Sequence, residues 1–269
     1  MGAHPARGGL PTVSERPSSE AFDFRGKRAL VTGGSRGIGA VIGKTLAHCG
    51  AEVFLNYRED AESAGRTVQE IEAAGGKAHG IRANLVHPDE IRKMLEGILA
   101  SGDLHFLIHN AALGSFKPVM DLRANQWDLT LAVNARALLL CAQGAVAGMP
   151  AGGRIVGLSS LGSHRVVPSY GAIGASKAAL EAVIRSLAVE LGPKGIAVNG
   201  VSGGVVDGPT IRQHPAAPTL LARAVRRTPL GRLGTAEDLA RVVLFLCSPL
   251  SSWINGQVLV ADGGMSLTL

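Results

Sequence analysis

RALVTGGSRGIGAVIGKTLAHCG, residues 28–50, decides how the rest of the chain is read. It opens with a short aliphatic run, turns through glycines, and continues with apolar residues at helical spacing. Gly33, Gly37 and Gly39 follow the pattern TGxxxGxG. Glycines so placed let the chain turn tightly and leave the first backbone N–H groups of the following helix open to a diphosphate. A glycine string by itself says little. Here a strand precedes it, an amphipathic helix follows it, and it heads the domain, which together point to a dinucleotide site. Ser35, Arg36 and Ile38 lie in the same turn and belong with the glycines in that site.

Downstream the same alternation repeats. AEVFLN, AHGIRAN, LHFLIHN, GRIVGLS, IAVNGVS and GQVLVAD join RALVTG as strand candidates. Helical patterns cover Ile38–Cys49, Asp60–Ala74, Pro88–Leu99, Ala124–Ala147, Ala172–Leu191 and Ala236–Leu246. Thr235, with Asp238 three positions later, is a helix-start signal. No internal repeat or linker divides the chain. The expectation is an α/β protein with a single-domain Rossmann fold: a doubly wound, parallel, seven-stranded sheet with its ligand at the carboxyl ends of the strands.

Composition agrees and excludes several classes. A chain of 269 residues with 46% hydrophobic side chains can bury a substantial core. Residues 1–25 are rich in Pro, Gly, Ala and Ser without a periodic apolar face, so they read as a disordered tail ahead of a domain at 26–269. They lack the apolar centre of a signal peptide, and no uninterrupted run of about 18 apolar residues follows, so no membrane span is expected. Cys49, Cys141 and Cys247 are far apart and the eight histidines do not cluster, so no metal site is expected and a reducing cytoplasm fits best. The net charge of +6 resides in the body, since the tail's arginines and carboxylates cancel. It is dispersed, which suits an anionic ligand or acidic partner and sets nucleic acid aside.

The end of the second strand bears on which dinucleotide is bound. NAD sites usually carry Asp or Glu there for the ribose hydroxyls; this chain has Asn56, Tyr57 and Arg58. Arg36 and Arg58 together suit a 2′-phosphate, which favours NADPH. The alternative is that both arginines are solvated and Glu59 or Asp60 takes the acidic role.

TGGSRGIG, HNAA at 109–112, LAVNA at 131–135, GLSS at 157–160, Tyr170 with Lys177, and NGQVLVADGG near the end resemble the short-chain dehydrogenase/reductase family over about residues 26–269. The resemblance implies Asn110, Ala111 and Ala112 beside the cofactor, with Ala112 where the family has glycine. Asn84 and Leu85 after the third strand, and Gly203 and Val206 after the sixth, are implied cofactor contacts as well. Asn134 would hold a water linked to the catalytic Lys177, and a homotetramer is the implied assembly.

The usual family pair is Tyr-x3-Lys, yet position 173 is Ile173; the chain's two tyrosines are Tyr57 and Tyr170. Tyr-x6-Lys resembles the enoyl-acyl-carrier-protein reductases of that family, and the wording around it resembles the NADPH-dependent type III. The implied substrate is an enoyl thioester on acyl carrier protein or coenzyme A. Chemistry gives the spacing a reason. In ketone reduction, hydride lands on the carbon whose oxygen takes the proton. In an enoyl thioester hydride lands on the β-carbon while charge develops on the thioester oxygen farther along, so the donor must stand farther out. Seven helical positions span roughly 10 Å along the axis. Lys177 would then hold the nicotinamide ribose and add positive charge near the enolate.

Ser160 reads either as an auxiliary to Tyr170 or as a structural serine at a strand end. The loop after the sixth strand lacks the family's Pro-Gly and threonine, reading Ser202 to Gly208 instead. The following GPTIRQHPAAPTLLARAVRRTPLGR is expected as a mobile substrate lid, whose Arg212, Arg223, Arg226 and Arg227 meet phosphopantetheine or an acidic carrier, or else form a solvated face. Two other functions stay open: a ketoreductase or alcohol dehydrogenase that tolerates the shifted tyrosine, and a nucleotide-binding regulator without turnover.

Overall fold

The structure, a computed structural model, describes residues 19–214 and 216–268. Seven strands form one sheet: β1 (Arg28–Thr32), β2 (Glu52–Tyr57), β3 (Lys77–Arg82), β4 (Phe106–His109), β5 (Arg154–Ser160), β6 (Ala197–Gly203) and β7 (Val258–Ala261). All neighbouring pairs are parallel, in the order β3-β2-β1-β4-β5-β6-β7. Every residue of β1 is buried, as a strand covered on both faces requires, and this explains its unbroken aliphatic sequence. The order reverses between β1 and β4, which opens a crevice at their carboxyl ends.

The helices are α1 (Gly37–His48), α2 (Ala61–Ala73), α3 (Pro88–Leu99), α4 (Ala124–Leu131), α5 (Ala137–Ala145), α6 (Gly171–Leu191), α7 (Pro209–Arg212), α8 (Ala217–Arg227) and α9 (Ala236–Cys247). On one face of the sheet, α3, α5 and α6 contribute Ile91, Leu95, Leu138, Leu180 and Ile184 to a buried cluster. On the other, α1, α2 and α9 contribute Ile42, Leu46, Ile71, Leu239 and Val243. The start of α9 is capped reciprocally: Asp238 N–H donates to the Thr235 hydroxyl at 3.2 Å and Thr235 N–H to the Asp238 carboxylate at 2.9 Å.

Two expectations need correction. The domain begins before residue 26: Ser19–Phe22 form a 3-10 turn, and Phe24 is buried with its ring edge-on to Phe106 at 4.9 Å. The rest of the expected tail, residues 1–18, lies outside the described residues. The helix expected over Ala124–Ala147 is interrupted by a π turn at Ala132–Arg136. Buried Asn134 sits in that turn and bonds across to Leu113, so local widening of the helix serves a polar tether in the core. Ala124–Gly148 is, by length and apolarity, the one membrane-span candidate among the described residues. More than half of its most apolar stretch is buried inside the protein, and its apolar side chains fill the core between α3 and α6. The segment expected as a lid contains α7 and α8, joined near buried His214.

Candidate active site

Gly33 and Gly37 adopt left-handed backbone angles, with φ of +62° and +58°. At Gly39 the reason for glycine is space: a Cβ would stand 2.2 Å from the Gly33 carbonyl oxygen and 2.5 Å from Asn110 Nδ2. Asn110 Nδ2 donates to the carbonyls of Thr32 and Gly33 at 3.1 and 3.0 Å, tying the end of β4 to the glycine turn. The Ser35 carbonyl is held by the Thr67 hydroxyl of α2 at 2.9 Å. No side chain caps α1, and its first turn, containing Ile38, carries no acidic residue. An uncapped helix start behind a glycine cradle fits the diphosphate of a dinucleotide.

The end of β2 divides its duties. Asn56 is buried, accepts from Gly33 N–H at 3.4 Å and donates to the Ala83 carbonyl at 3.0 Å, so it ties the glycine turn to β3. Arg36 and Arg58 remain exposed, at 3.6 Å from Asp60 and 3.0 Å from Glu59. Each is paired with one of two adjacent carboxylates. Exposed pairs of this kind are worth about 0–1 kcal/mol, so a phosphate dianion can displace the carboxylates. Tyr57 closes β2 beside them, partly exposed. Beyond β3, Asn84 accepts from Val86 N–H and Leu85 is buried. Ala112 is exposed, so the exchange of glycine for alanine there displaces nothing in the core.

At the chemical end, Tyr170 is the residue that caps the start of α6, and it follows Ser169, whose φ is +57°. That left-handed serine is a strained position, and it turns the chain so that the phenol reaches β5. Tyr170 Oη donates to Ser160 Oγ at 3.4 Å. Burial raises the phenol's pKa above its ordinary value and the contact with Ser160 opposes this, so the proton stays on oxygen. Position 173 is a buried isoleucine packed over Gly114, whose added Cβ would lie 2.2 Å from Ile173 Cγ1. Lys177 is buried one turn farther on, and its Nζ donates to the Leu158 carbonyl at 2.6 Å. Burial brings its pKa down to about 8, partly offset by the charge of Glu181.

Asn134 is buried, and its side chain is fully engaged within the protein. Both of its amide hydrogens are engaged, by the Leu113 carbonyl at 2.9 Å and the Ser176 hydroxyl at 2.8 Å. Its side chain therefore fixes the loop after β4 against α6. Gly203 is buried against Leu239, and Val206 pairs with Gly234 in an isolated parallel bridge. Arg212 is held by Asp207 through two bonds of 3.0 Å, and Arg227 donates to the Thr268 carbonyl at 2.9 Å. Of the four lid arginines, those two are thus engaged within the chain.

The sequence reading overlooked Thr32 and the part played by His109. The Thr32 hydroxyl accepts the N–H groups of Asn110 and Ala111 at 3.1 and 3.0 Å and lies 3.2 Å from His109 Nδ1. Burial, with the nearby charge of Lys177, pushes His109 down to about 3. A neutral ring then donates from Nε2 to the Val133 carbonyl in the π turn at 3.1 Å, and receives the Thr32 proton at Nδ1. Only the threonine of the TG dipeptide hinted at this.

Residues 33–266 match the family profile described as Enoyl-(Acyl carrier protein) reductase. The chain is a short-chain dehydrogenase/reductase. It is an oxidoreductase with that family's sheet and glycine turn. It is 38% identical over 254 residues to the 1-cyclohexenylcarbonyl-CoA reductase of Streptomyces collinus, covering 93% of this chain and 91% of that one. A short-chain dehydrogenase from Burkholderia cenocepacia, solved in complex with NADP, is 39% identical with a TM-score of 0.85, covering 91% of this chain and 99% of that chain. The angucycline C-6 ketoreductase LanV with bound NADP is 33% identical at a TM-score of 0.85, covering 91% of this reductase and 97% of its own chain.

Proposed function

We propose that this reductase uses NADPH to reduce the carbon–carbon double bond of an enoyl thioester, carried on acyl carrier protein or coenzyme A. The observation that carries the reading is the place of Tyr170 at the cap of α6, with Ile173 filling the position nearer to Lys177. Bound NADPH supplies the hydride. Gly33, Ser35, Gly37, Ile38 and Gly39 hold the diphosphate end, Arg36 and Arg58 meet the 2′-phosphate, and Asn110, Ala111 and Val206 border the nicotinamide end. Tyr170, protonated by virtue of its burial, donates to the thioester oxygen as negative charge develops there. Before substrate binds, Ser160 accepts from Tyr170 and so holds the phenol in place; with substrate bound the phenol's single O–H turns to the thioester oxygen. Lys177 orients the cofactor's ribose and lends positive charge at short range. The name of the Streptomyces relative, a reductase of a conjugated thioester, supports the same chemistry. A homo-oligomer, expected as a tetramer, and a cytoplasmic place of action complete the proposal; Trp253 and Leu267, 98% and 86% exposed, are apolar surface that an assembly would cover.

A second reading, reduction of a ketone, has its own support in the Tyr170–Ser160 contact, which offers two hydroxyls to one oxygen, and in the likeness to LanV. The test mixes the purified protein and NADPH with a trans-2-enoyl thioester and, separately, a 3-ketoacyl thioester of equal length. Oxidation of NADPH with the enoyl substrate alone is the expected result; oxidation with the keto substrate alone overturns the proposal. The cofactor choice has a separate check. Changing Arg36 and Arg58 together to alanine should weaken NADPH binding by about tenfold to a hundredfold, the loss expected for charge-assisted hydrogen bonds, and leave NADH binding nearly unchanged. Equal losses for both cofactors would remove the two arginines from 2′-phosphate recognition.

A further inference from the structure

Glu181 lies on α6 one turn beyond Lys177 and is 1% exposed, among Leu180, Ile184 and Leu187, which fill the core. An apolar residue would cost less there, because a buried carboxylate must be matched by donors. The donors are present. Glu181 Oε1 accepts from the hydroxyls of Ser159 and of Ser163, the latter at 2.7 Å, while Oε2 is 2.6 Å from His164 Nε2. Ser159 is the penultimate residue of β5, and Ser163 and His164 follow in the 3-10 turn Leu161–Ser163 and just after it. These residues lie on either side of Ser160. Ser163 Oγ also stands 2.8 Å from the Ser160 carbonyl, and Ser160 Oγ accepts Gly162 N–H at 3.2 Å as well as the phenol of Tyr170.

We propose that Glu181 is a positioning residue of the reductase: its carboxylate gathers Ser159, Ser163 and His164 and thereby fixes the turn that presents Ser160 to Tyr170. It rests on the reading that Ser160 and Tyr170 serve the substrate, whichever bond is reduced. The same carboxylate acts on Lys177 along the helix. Burial favours loss of the ammonium's proton, and the negative charge of Glu181 opposes it. The other titratable groups around the pair are His109, which reaches it from β4 and is neutral, and His164, which connects the carboxylate to solvent at 67% side-chain exposure. Removing the charge at 181 therefore lowers the pH at which Lys177 loses its proton.

Glu181→Gln keeps the shape and removes the charge. On whichever thioester the wild-type protein reduces, kcat should fall about tenfold, as for a small misplacement of reacting groups, with the Kd for NADPH within about twofold of wild type. The basic limb of the pH profile should move to lower pH, since the charge that opposes proton loss from Lys177 is gone. A folded Glu181→Gln protein with wild-type kcat and an unmoved basic limb would overturn the proposal. Should that variant not fold, the double variant Ser159→Ala/Ser163→Ala withdraws two donors and leaves the carboxylate in place; a loss of kcat at unchanged NADPH affinity supports the assignment, and unchanged kcat overturns it. NMR titration of the Lys177 Cε resonance gives a readout without turnover. It should show a lower pKa in Glu181→Gln, and an identical titration in the two proteins counts against the link.

Discussion

Replacing Tyr170 with phenylalanine is expected to lower kcat by about a hundredfold to a thousandfold, the usual cost of losing one donor to a developing oxyanion. NADPH affinity should barely change, because the phenol's hydroxyl meets Ser160 and not the glycine turn that holds the diphosphate in the proposal. The aromatic ring near Phe116, at 6.0 Å between centroids, is retained in the variant, so packing is preserved while the proton donor is lost. Steady-state kinetics alongside a fluorescence titration of NADPH separate the two effects. A variant that turns over at the wild-type rate would mean that another group supplies the proton and that the spacing to Lys177 has no chemical meaning.

Gly39→Ala should weaken NADPH binding by about a hundredfold or more. The added methyl would fall 2.2 Å from the Gly33 oxygen and 2.5 Å from Asn110 Nδ2, two atoms already bonded to each other at 3.0 Å. To admit it, the bond that fixes the glycine turn to β4 must open, and overpacking of this kind typically costs about 1–3 kcal/mol even where side chains can move. Backbone cannot move so freely. Gly37→Ala provides the contrast: nothing lies within 4 Å of its Cβ, so it pays only for a left-handed angle, about 1–2 kcal/mol. Calorimetric titration with NADPH ranks the two, and a Gly39→Ala protein with wild-type affinity would show that the cradle does not hold the diphosphate.

The architecture was legible because its signals are local and repeated. Aliphatic runs mark strands buried on both faces, glycine spacing marks the first turn, and Thr235 with Asp238 marks a helix start. The position of Tyr170 relative to Lys177 was also legible, since helical rise converts sequence separation into distance. Other features depend on residues distant in sequence. Thr32 and His109 are 77 positions apart, and Glu181 meets Ser159 across 22, so no spacing rule reveals these bonds. Asn56 is another such case: its side chain turns inward and bonds to the Ala83 carbonyl, a tie between segments that the strand-end sequence does not announce. The arginines of the lid segment looked equivalent in sequence, but Asp207 and the Thr268 carbonyl engage two of them.

The π turn at Ala132–Arg136 also shifts phase. An α-helix advances about 100° per residue, so one extra residue in a turn rotates everything after it by that angle relative to everything before. Before the turn, α4 packs against α6; after it, α5 packs against α3. A straight helix would present one stripe to one neighbour, whereas this rod, apolar along its length, serves two partners set around its axis. Shortening it by a single residue would restore an unbroken helix and swing one half of its buried stripe out of register with the core, with Asn134 no longer facing Leu113.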